Sequence, residues 1–234
     1  MIDKTVASPE SAVAGIADGS TVLVGGFGPS GVPEALIDAL LAQGARELTI
    51  VSNHAGNGDT GLAALLAAGR VRRIVCSYPR HKDSHVFERL WRAGKIELEL
   101  VPQGTLAERL RAAGAGIPAF FTPTGVGTVV ADGKEVREFD GRRYVMERAL
   151  KADFAFVKAW TGDTAGNLVY RRTTRNFNPM MATAAAVTVA EVEHLVEAGA
   201  IVPDHVHTPG LFVQRIFQGQ AYSRKIEKRT VRVA

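Results

Sequence analysis

Apolar segments of two kinds alternate along residues 8–113. Short β-branched runs that end at glycine or at a polar residue predict buried strands, and longer segments with apolar residues every three or four positions predict helices. The predicted strands are 21–24, 47–52, 73–77 and 96–101, and the predicted helices are 8–19, 33–44, 61–68, 84–93 and 105–113. This alternation predicts an α/β fold, a mostly parallel sheet with helices on both faces.

The pattern changes after residue 117. Alternating side chains over residues 129–145, with turn sequences at Asp132-Gly133 and Asp140-Gly141, predict a small antiparallel β flap at about residues 125–147. Two later apolar runs, 152–159 and 185–192, predict further core strands. No linker, repeat or low-complexity segment divides the sequence, so we expect residues 1–234 to form a single domain.

The composition is that of a globular protein. Of 234 residues, 46% are hydrophobic and 22% charged, and a chain of this length needs neither disulfide nor metal to fold. A single cysteine, Cys76, excludes an internal disulfide framework and favours a reducing compartment. The first residues lack the pattern of a secretory signal, and the longest apolar stretch, 180–190, is about half a bilayer span. We therefore expect a cytoplasmic protein with no membrane association.

Two other classes of partner are not expected either. The net charge of +4 permits an anionic ligand, but the basic residues are scattered until residues 224–229 and aromatic residues make up only 7%. Nucleic-acid binding usually requires a concentrated basic face or stacking aromatics, so we expect no nucleic-acid partner. His205 and His207 supply two possible metal ligands, whereas a catalytic zinc site needs three. We expect no metal.

A glycine-rich loop joins the first strand to the second helix and carries the most information. It consists of Gly25, Gly26, Phe27, Gly28, Pro29, Ser30 and Gly31. Backbone N–H groups in such a loop and at the following helix N-terminus are expected to converge on a negative group.

The glycine loop leaves two other interpretations open. Its spacing matches the dinucleotide fingerprint G-x-G-x-x-G, which requires an acidic residue at the end of the second strand. That strand instead ends at Ser52-Asn53, so a nicotinamide-binding oxidoreductase is the less favoured alternative. The other interpretation is that the loop is a tight turn that binds no ligand.

The glycine loop belongs to a longer motif, Asp18-Gly19-x-x-(three apolar residues)-Gly25-Gly26-Phe27-x-x-x-Gly31-x-Pro33. This motif resembles the signature of the first, or A, subunit of class I 3-oxoacid coenzyme A transferases. Further segments that resemble this family follow in the family's order at 52–56, 101–109, 122–128, 166–168, 175–179 and 208–210. Together they span nearly the whole chain.

The resemblance implies the fold shared with ribose-5-phosphate isomerase-like proteins and an activity that moves coenzyme A from an acyl group to a free carboxylate. In this family the acyl-CoA is attacked by a glutamate of the second, or B, subunit, which gives an anhydride and then an enzyme–CoA thioester. The chain is therefore expected to lack the nucleophile and to work with the B subunit in a hetero-oligomer, expected to be α2β2. Coenzyme A thioesters are expected as substrates, with no permanently bound cofactor. A non-catalytic module that binds acyl-CoA or a sugar phosphate is a further alternative.

The resemblance also implies roles for single residues. The loop Gly25 to Gly31 is expected to bind coenzyme A, and Gln103 to lie close to the reacting thioester, where its amide can donate to the carbonyl. Asn53, after the second strand, is expected to act in the same way. His54 stands where many relatives have asparagine, and we hypothesise that it helps to bind a substrate carboxylate; a loop histidine is the alternative.

A basic loop, Arg80-His81-Lys82, follows the third strand and is a candidate site for binding the acceptor acid. Arginine grips a carboxylate with two parallel hydrogen bonds, so Arg80 is a candidate for the distal carboxylate of a dicarboxylic acceptor. Residues 77–95 resemble relatives that act on 3-oxoadipate, whereas 226–230 resemble relatives that act on acetoacetate. We expect succinyl-CoA as donor and 3-oxoadipate as the preferred acceptor, with acetoacetate as the alternative. The carboxylates of Glu34 and Glu108 are expected to lie in the first turns of helices, where the helix dipole favours them.

Overall fold

A computed structural model describes residues 2–80 and 83–220. Within these residues the chain forms six α-helices: α1 (Pro9–Ala12), α2 (Glu34–Gln43), α3 (Leu62–Ala67), α4 (His85–Arg92), α5 (Gln103–Gly114) and α6 (Asn178–Thr183). The strands of the same residues are β1 (Thr21–Val24), β2 (Leu48–Val51), β3 (Val71–Cys76), β4 (Glu97–Leu100), β5 (Ala119–Thr122), β6 (Val136–Phe139), β7 (Arg142–Arg148), β8 (Ala152–Asp163), β9 (Leu168–Val169), β10 (Ala185–Val196) and β11 (Arg215–Gln218).

The main sheet confirms the predicted α/β fold. Its strand order is β11-β10-β8-β1-β2-β3-β4, all paired in parallel, and β9 joins β8 in antiparallel orientation. Alternate side chains of β1 enter two separate cores, since Val22 and Val24 pack in one and Leu23 in the other. Helices α1 to α4 cover the first core, and α5 and α6 cover the second. Burial on both faces explains why β1 is almost entirely apolar.

The carboxyl ends of the parallel strands lie at one edge of the sheet, which is where open α/β sheets bind ligands. The glycine loop follows β1, Asn53 follows β2, and Gln103 follows β4. Strand β8 extends beyond β1. Only Phe154, Ala155 and Phe156 of its twelve residues pair with β1. The twelve-residue strands β8 and β10 are thus longer than the predicted runs 152–159 and 185–192.

Two predicted helix limits are wrong. Helix α1 has only four residues, not the predicted extent to Gly19. Val13 and Ile16 are buried beyond its end, so the apolar pattern that suggested a longer helix comes from a packed turn. Helix α5 begins at Gln103, two residues earlier than predicted, so Gln103 occupies its first turn.

The flap is a three-stranded antiparallel sheet in the order β5-β7-β6. It begins at Ala119, earlier than the predicted limit of 125, and ends at Arg148. Residues Val129–Ala131 form a 3-10 turn instead of the predicted strand. Asp140 and Gly141 have φ of +51° and +74° and connect β6 to β7, as their turn sequence predicted.

None of the helices in the described residues is long and apolar enough to cross a bilayer.

Candidate functional site

The glycine loop folds as a tight hairpin at the carboxyl end of β1. The Phe27 amide donates to the Ser30 carbonyl at 2.9 Å, and the Ser30 amide donates back to the Phe27 carbonyl at 3.0 Å. Gly26, Gly28 and Gly31 have φ of +124°, +52° and +72°. Residues with side chains rarely adopt these angles, so the shape of the hairpin depends on its glycines.

The N-terminus of α2 is not available to a ligand, contrary to the sequence-based expectation. The amides of Ala35 and Leu36 donate to Oε2 of Glu191, a buried residue of β10, at 3.1 and 3.3 Å. A carboxylate of the protein therefore occupies the position where an external anion was expected. In the described part of the chain, the loop amides that donate to no protein acceptor are those of Gly26, Gly28 and Gly31.

A buried asparagine that sequence analysis did not single out, Asn178, fixes the loop in place. Its Oδ1 accepts from the Lys158 amide at 2.9 Å, and its Nδ2 donates to the carbonyls of Gly31 and Thr174, both at 3.0 Å. A Cβ on Gly25 would lie 1.9 Å from Asn178 Oδ1, so only glycine fits there. Asn178 lies in a segment quoted for the family resemblance, but its contacts with the loop exist only in the folded chain.

His54 connects the loop after β2 to the glycine hairpin. Its Nδ1 accepts from the Gly56 amide at 2.9 Å, so the proton lies on Nε2, which donates to the Gly28 carbonyl at 3.0 Å. The residue is 7% exposed. Because both ring nitrogens bind the protein's own backbone, the hypothesis that His54 binds a substrate carboxylate is not supported, and the geometry assigns it a positioning role at Gly28.

The two amide residues expected near the reaction centre lie in contact. Gln103 Nε2 donates to Asn53 Oδ1 at 2.8 Å, although fifty positions separate them in the chain. The Ser77 hydroxyl donates to the same oxygen at 3.1 Å. Asn53 is 2% exposed, whereas Gln103 is exposed. The loops after β2, β3 and β4 thus build one polar network with a solvent-facing amide.

Arg80 is exposed and lies within 3.3 Å of the Glu88 carboxylate of α4. Glu88 also pairs with Arg92 at 2.5 Å, so the two arginines share one carboxylate. The remaining residues of the predicted acceptor loop, His81 and Lys82, lie outside the described residues, as does the acetoacetate-like segment 226–230.

A second wall of the site comes from residues 171–176, of which only 175 and 176 belong to a segment that resembles the family. Arg172 and Arg175 of this segment face the glycine hairpin across a cleft of about 410 Å³, which Phe27 and Ser30 also line. Three arginines occur within the five residues 171–175, a basic pattern visible in the sequence, but only the fold places Arg172 and Arg175 beside the glycine loop.

Other reactive groups have ordinary structural roles. Glu34 lies in the first turn of α2, as expected. Glu108 lies in the second turn of α5, not the first, because the helix begins earlier; its hydrogen bond with Arg111 lowers the pKa of its carboxyl. Burial raises the pKa of the Cys76 thiol to about 12, so the thiol stays protonated at neutral pH. Among the described residues no group of three or more His, Cys, Asp or Glu side chains could hold a metal ion.

Comparison with known proteins places the chain in a family. The family model for coenzyme A transferase matches residues 6–219. The chain is 62% identical to the A subunit of 3-oxoadipate CoA-transferase from Pseudomonas putida, covering 92% of this chain and 94% of that protein. It is 56% identical to the A subunit of succinyl-CoA:3-ketoacid coenzyme A transferase from Xanthomonas campestris pv. campestris, covering 98% and 94%.

Solved structures agree with this placement. An acyl-CoA transferase from Escherichia coli O157:H7 is similar with a TM-score of 0.80 at 26% identity over 92% of this chain, which spans only 46% of that longer protein. Glutaconate coenzyme A-transferase from Acidaminococcus fermentans, at 20% identity and a TM-score of 0.80, shares the fold over 91% of this chain and 74% of its own. With its fold, its glycine hairpin and these matches taken together, the chain belongs to the coenzyme A transferase family.

Proposed function

We propose that this chain is the A subunit of a heteromeric 3-oxoacid CoA-transferase that works in the cytoplasm. It would help to move coenzyme A from succinyl-CoA to a 3-oxo acid, with 3-oxoadipate as the preferred acceptor and acetoacetate as the alternative. The identity of 62% to a relative named for 3-oxoadipate, against 56% to one named for succinyl-CoA and 3-ketoacids, supports that preference. Both relatives are named as A subunits, which supports the presence of a partner B subunit.

The observation that carries the proposal is the amide pair at the carboxyl edge of the sheet. One N–H of Gln103 is fixed by Asn53 Oδ1 at 2.8 Å, which orients the amide and leaves its second N–H able to donate. When a nucleophile attacks a thioester, negative charge develops on the carbonyl oxygen, and an oriented N–H donor stabilises that charge. Gln103 suits this task because it is exposed at the edge where the thioester would lie.

The nucleophile would come from outside the chain. No described carboxylate hydrogen-bonds Asn53 or Gln103, whereas the family's reaction requires a glutamate. In the proposed sequence the partner's glutamate attacks the succinyl carbonyl and the CoA thiolate leaves, forming an anhydride. The thiolate then attacks the glutamyl carbonyl and succinate departs, which leaves the glutamyl-CoA thioester. The same steps run in reverse with the carboxylate of the 3-oxo acid.

The first prediction concerns the partner. The purified chain alone should give no transfer from succinyl-CoA to either acceptor, and activity should appear when the B subunit is added. After incubation with succinyl-CoA, borohydride or hydroxylamine should modify a glutamate of the B subunit, leaving this chain unmodified, as read by mass spectrometry. Sustained turnover by this chain alone would overturn the proposal.

The second prediction concerns the acceptor. If Arg80 grips the distal carboxylate of 3-oxoadipate, Arg80→Ala should lower kcat/KM for that acid by about 10- to 150-fold, the loss typical of one charged hydrogen bond. The value for acetoacetate should change little. Arg92→Ala is a matched control, because Arg92 also pairs with Glu88. Equal losses for both acids, or equal effects of the two variants, would remove Arg80 from acceptor selection.

A further inference from the structure

The cleft between the glycine hairpin and residues 171–176 carries positive charge that the amide pair does not use. Arg172 and Arg175 line this cleft together with Thr173 and Asn176 of the same segment. Within residues 2–80 and 83–220, neither of the two guanidinium groups makes an ion pair or a hydrogen bond. Arg109 and Arg92, by contrast, pair with Glu99 and Glu88.

Hydrogen bonds hold the two walls of the cleft together. The hydroxyls of Ser30 and Thr173 lie 3.0 Å apart, and Asn176 Nδ2 donates to the carbonyls of Ser30 and Thr173 at 3.0 and 2.7 Å. Arg172 has φ of +50°, a left-handed conformation that side chains rarely adopt. Strained backbone of this kind persists where surrounding contacts impose it, and it concentrates at ligand sites. The cleft is therefore a built feature and not a gap between loops.

The electrostatic effect of the cleft extends to its neighbours. His207 accepts a hydrogen bond from the Tyr170 amide at 2.9 Å through Nδ1. Burial lowers the pKa of His207, and the positive charge of Arg175, followed by that of His205, lowers it further. The positive charge of Arg175 therefore acts beyond the cleft itself, and an anion bound in the cleft would neutralise it.

The position of the cleft fits a long ligand. Residues 171–176 lie beside the glycine hairpin on the β8 side, whereas Asn53 and Gln103 follow β2 and β4 on the other side. Four inter-strand spacings separate β8 from β4, or roughly 19 Å at about 4.8 Å each. A ligand with its thioester at Gln103 and its opposite end in the cleft would pass across the hairpin.

We propose that Arg172 and Arg175 bind a phosphate group of the coenzyme A substrate. This inference rests on the proposed function, because it names the part of that substrate that the cleft holds. The phosphate monoester of coenzyme A offers three acceptor oxygens and close to two negative charges, which matches two guanidinium groups better than a single carboxylate does. Phe27, 49% exposed at the cleft, presents a flat ring on which an adenine base can stack.

The test measures binding and not turnover. Dissociation constants for CoA and for pantetheine, which has no phosphate, are measured on the complete complex with the B subunit. The double variant Arg172→Gln/Arg175→Gln should bind CoA at least about tenfold more weakly than the wild type, given the usual value of charged hydrogen bonds. Its affinity for pantetheine should be unchanged. Arg89→Gln, which removes one guanidinium charge from an exposed position on α4, should bind both ligands as the wild type does.

Each remaining outcome overturns the inference. An unchanged affinity for CoA, or an equal loss of affinity for pantetheine, would mean that the arginines do not bind phosphate. A raised KM for 3-oxoadipate or succinate with unchanged CoA affinity would assign the cleft to a carboxylate instead. Failure of the proposed function has a different signature: the wild-type complex would bind CoA normally but transfer it to no 3-oxo acid.

Discussion

Replacing Gly28 with valine should reduce the rate of CoA transfer by at least about 10²-fold in a complex that stays folded, the size of the loss when one oriented donor is removed from an active site. Gly28 is buried at the tip of the hairpin with φ of +52°, a conformation that a β-branched residue resists. Its carbonyl also accepts the hydrogen bond from His54. Valine should therefore move the hairpin, together with the free amides on either side of its tip.

The backbone cost of this change can be separated from its effect on the site. Gly116, after α5, has φ of +72°, and a Cβ there would have no atom within 4 Å. Gly116→Val should introduce the same kind of backbone strain, which lowers the free energy of unfolding by on the order of 1–3 kcal/mol, and it should leave the rate of transfer unchanged. Thermal unfolding and turnover are measured on both variants. Near-normal turnover by a folded Gly28→Val complex would mean that the hairpin is only a turn.

Replacing Gln103 with alanine should slow the chemical step by about 10²-fold while the affinity for CoA changes little, because the proposed contact of Gln103 is with the thioester carbonyl. Gln103→Glu should be no better than alanine. A carboxylate keeps the shape of the side chain but cannot donate to the carbonyl or to Asn53 Oδ1. Single-turnover measurements with succinyl-CoA, beside equilibrium binding of CoA, distinguish the two effects.

Gln218 is the matched control for this residue. It lies on β11, the strand at the far edge of the sheet, and its Nε2 donates to the Glu193 carbonyl at 3.0 Å. Gln218→Ala removes the same kind of hydrogen bond from an exposed side chain and should leave the single-turnover rate unchanged. If Gln103→Ala weakened CoA binding and the chemical step equally, the residue would be part of the binding surface, and its assignment to the thioester would be wrong.

The local sequence was sufficient to predict most of the main sheet. Short strand-like segments predicted β1 to β4, and Pro33 with Gly44 marked the limits of α2, because glycine in the left-handed conformation ends a helix. The turn Asp140-Gly141 predicted the β6–β7 hairpin for the same local reason. Local patterns failed at α1, where buried apolar residues continue into a packed turn, and at Val129–Ala131, which form a 3-10 turn with no buried residue.

The class of fold and the loops in which chemistry was expected could thus be predicted from local sequence, since strand periodicity and glycine conformation are properties of neighbouring residues. Which of those residues meet depends on the folded chain. It joined Gln103 to Asn53, used Glu191 to occupy the start of α2, and placed Asn178 against Gly25. These contacts join strands and loops that are 50 to more than 150 residues apart, and parallel crossovers bring such residues together without leaving a local pattern in the chain.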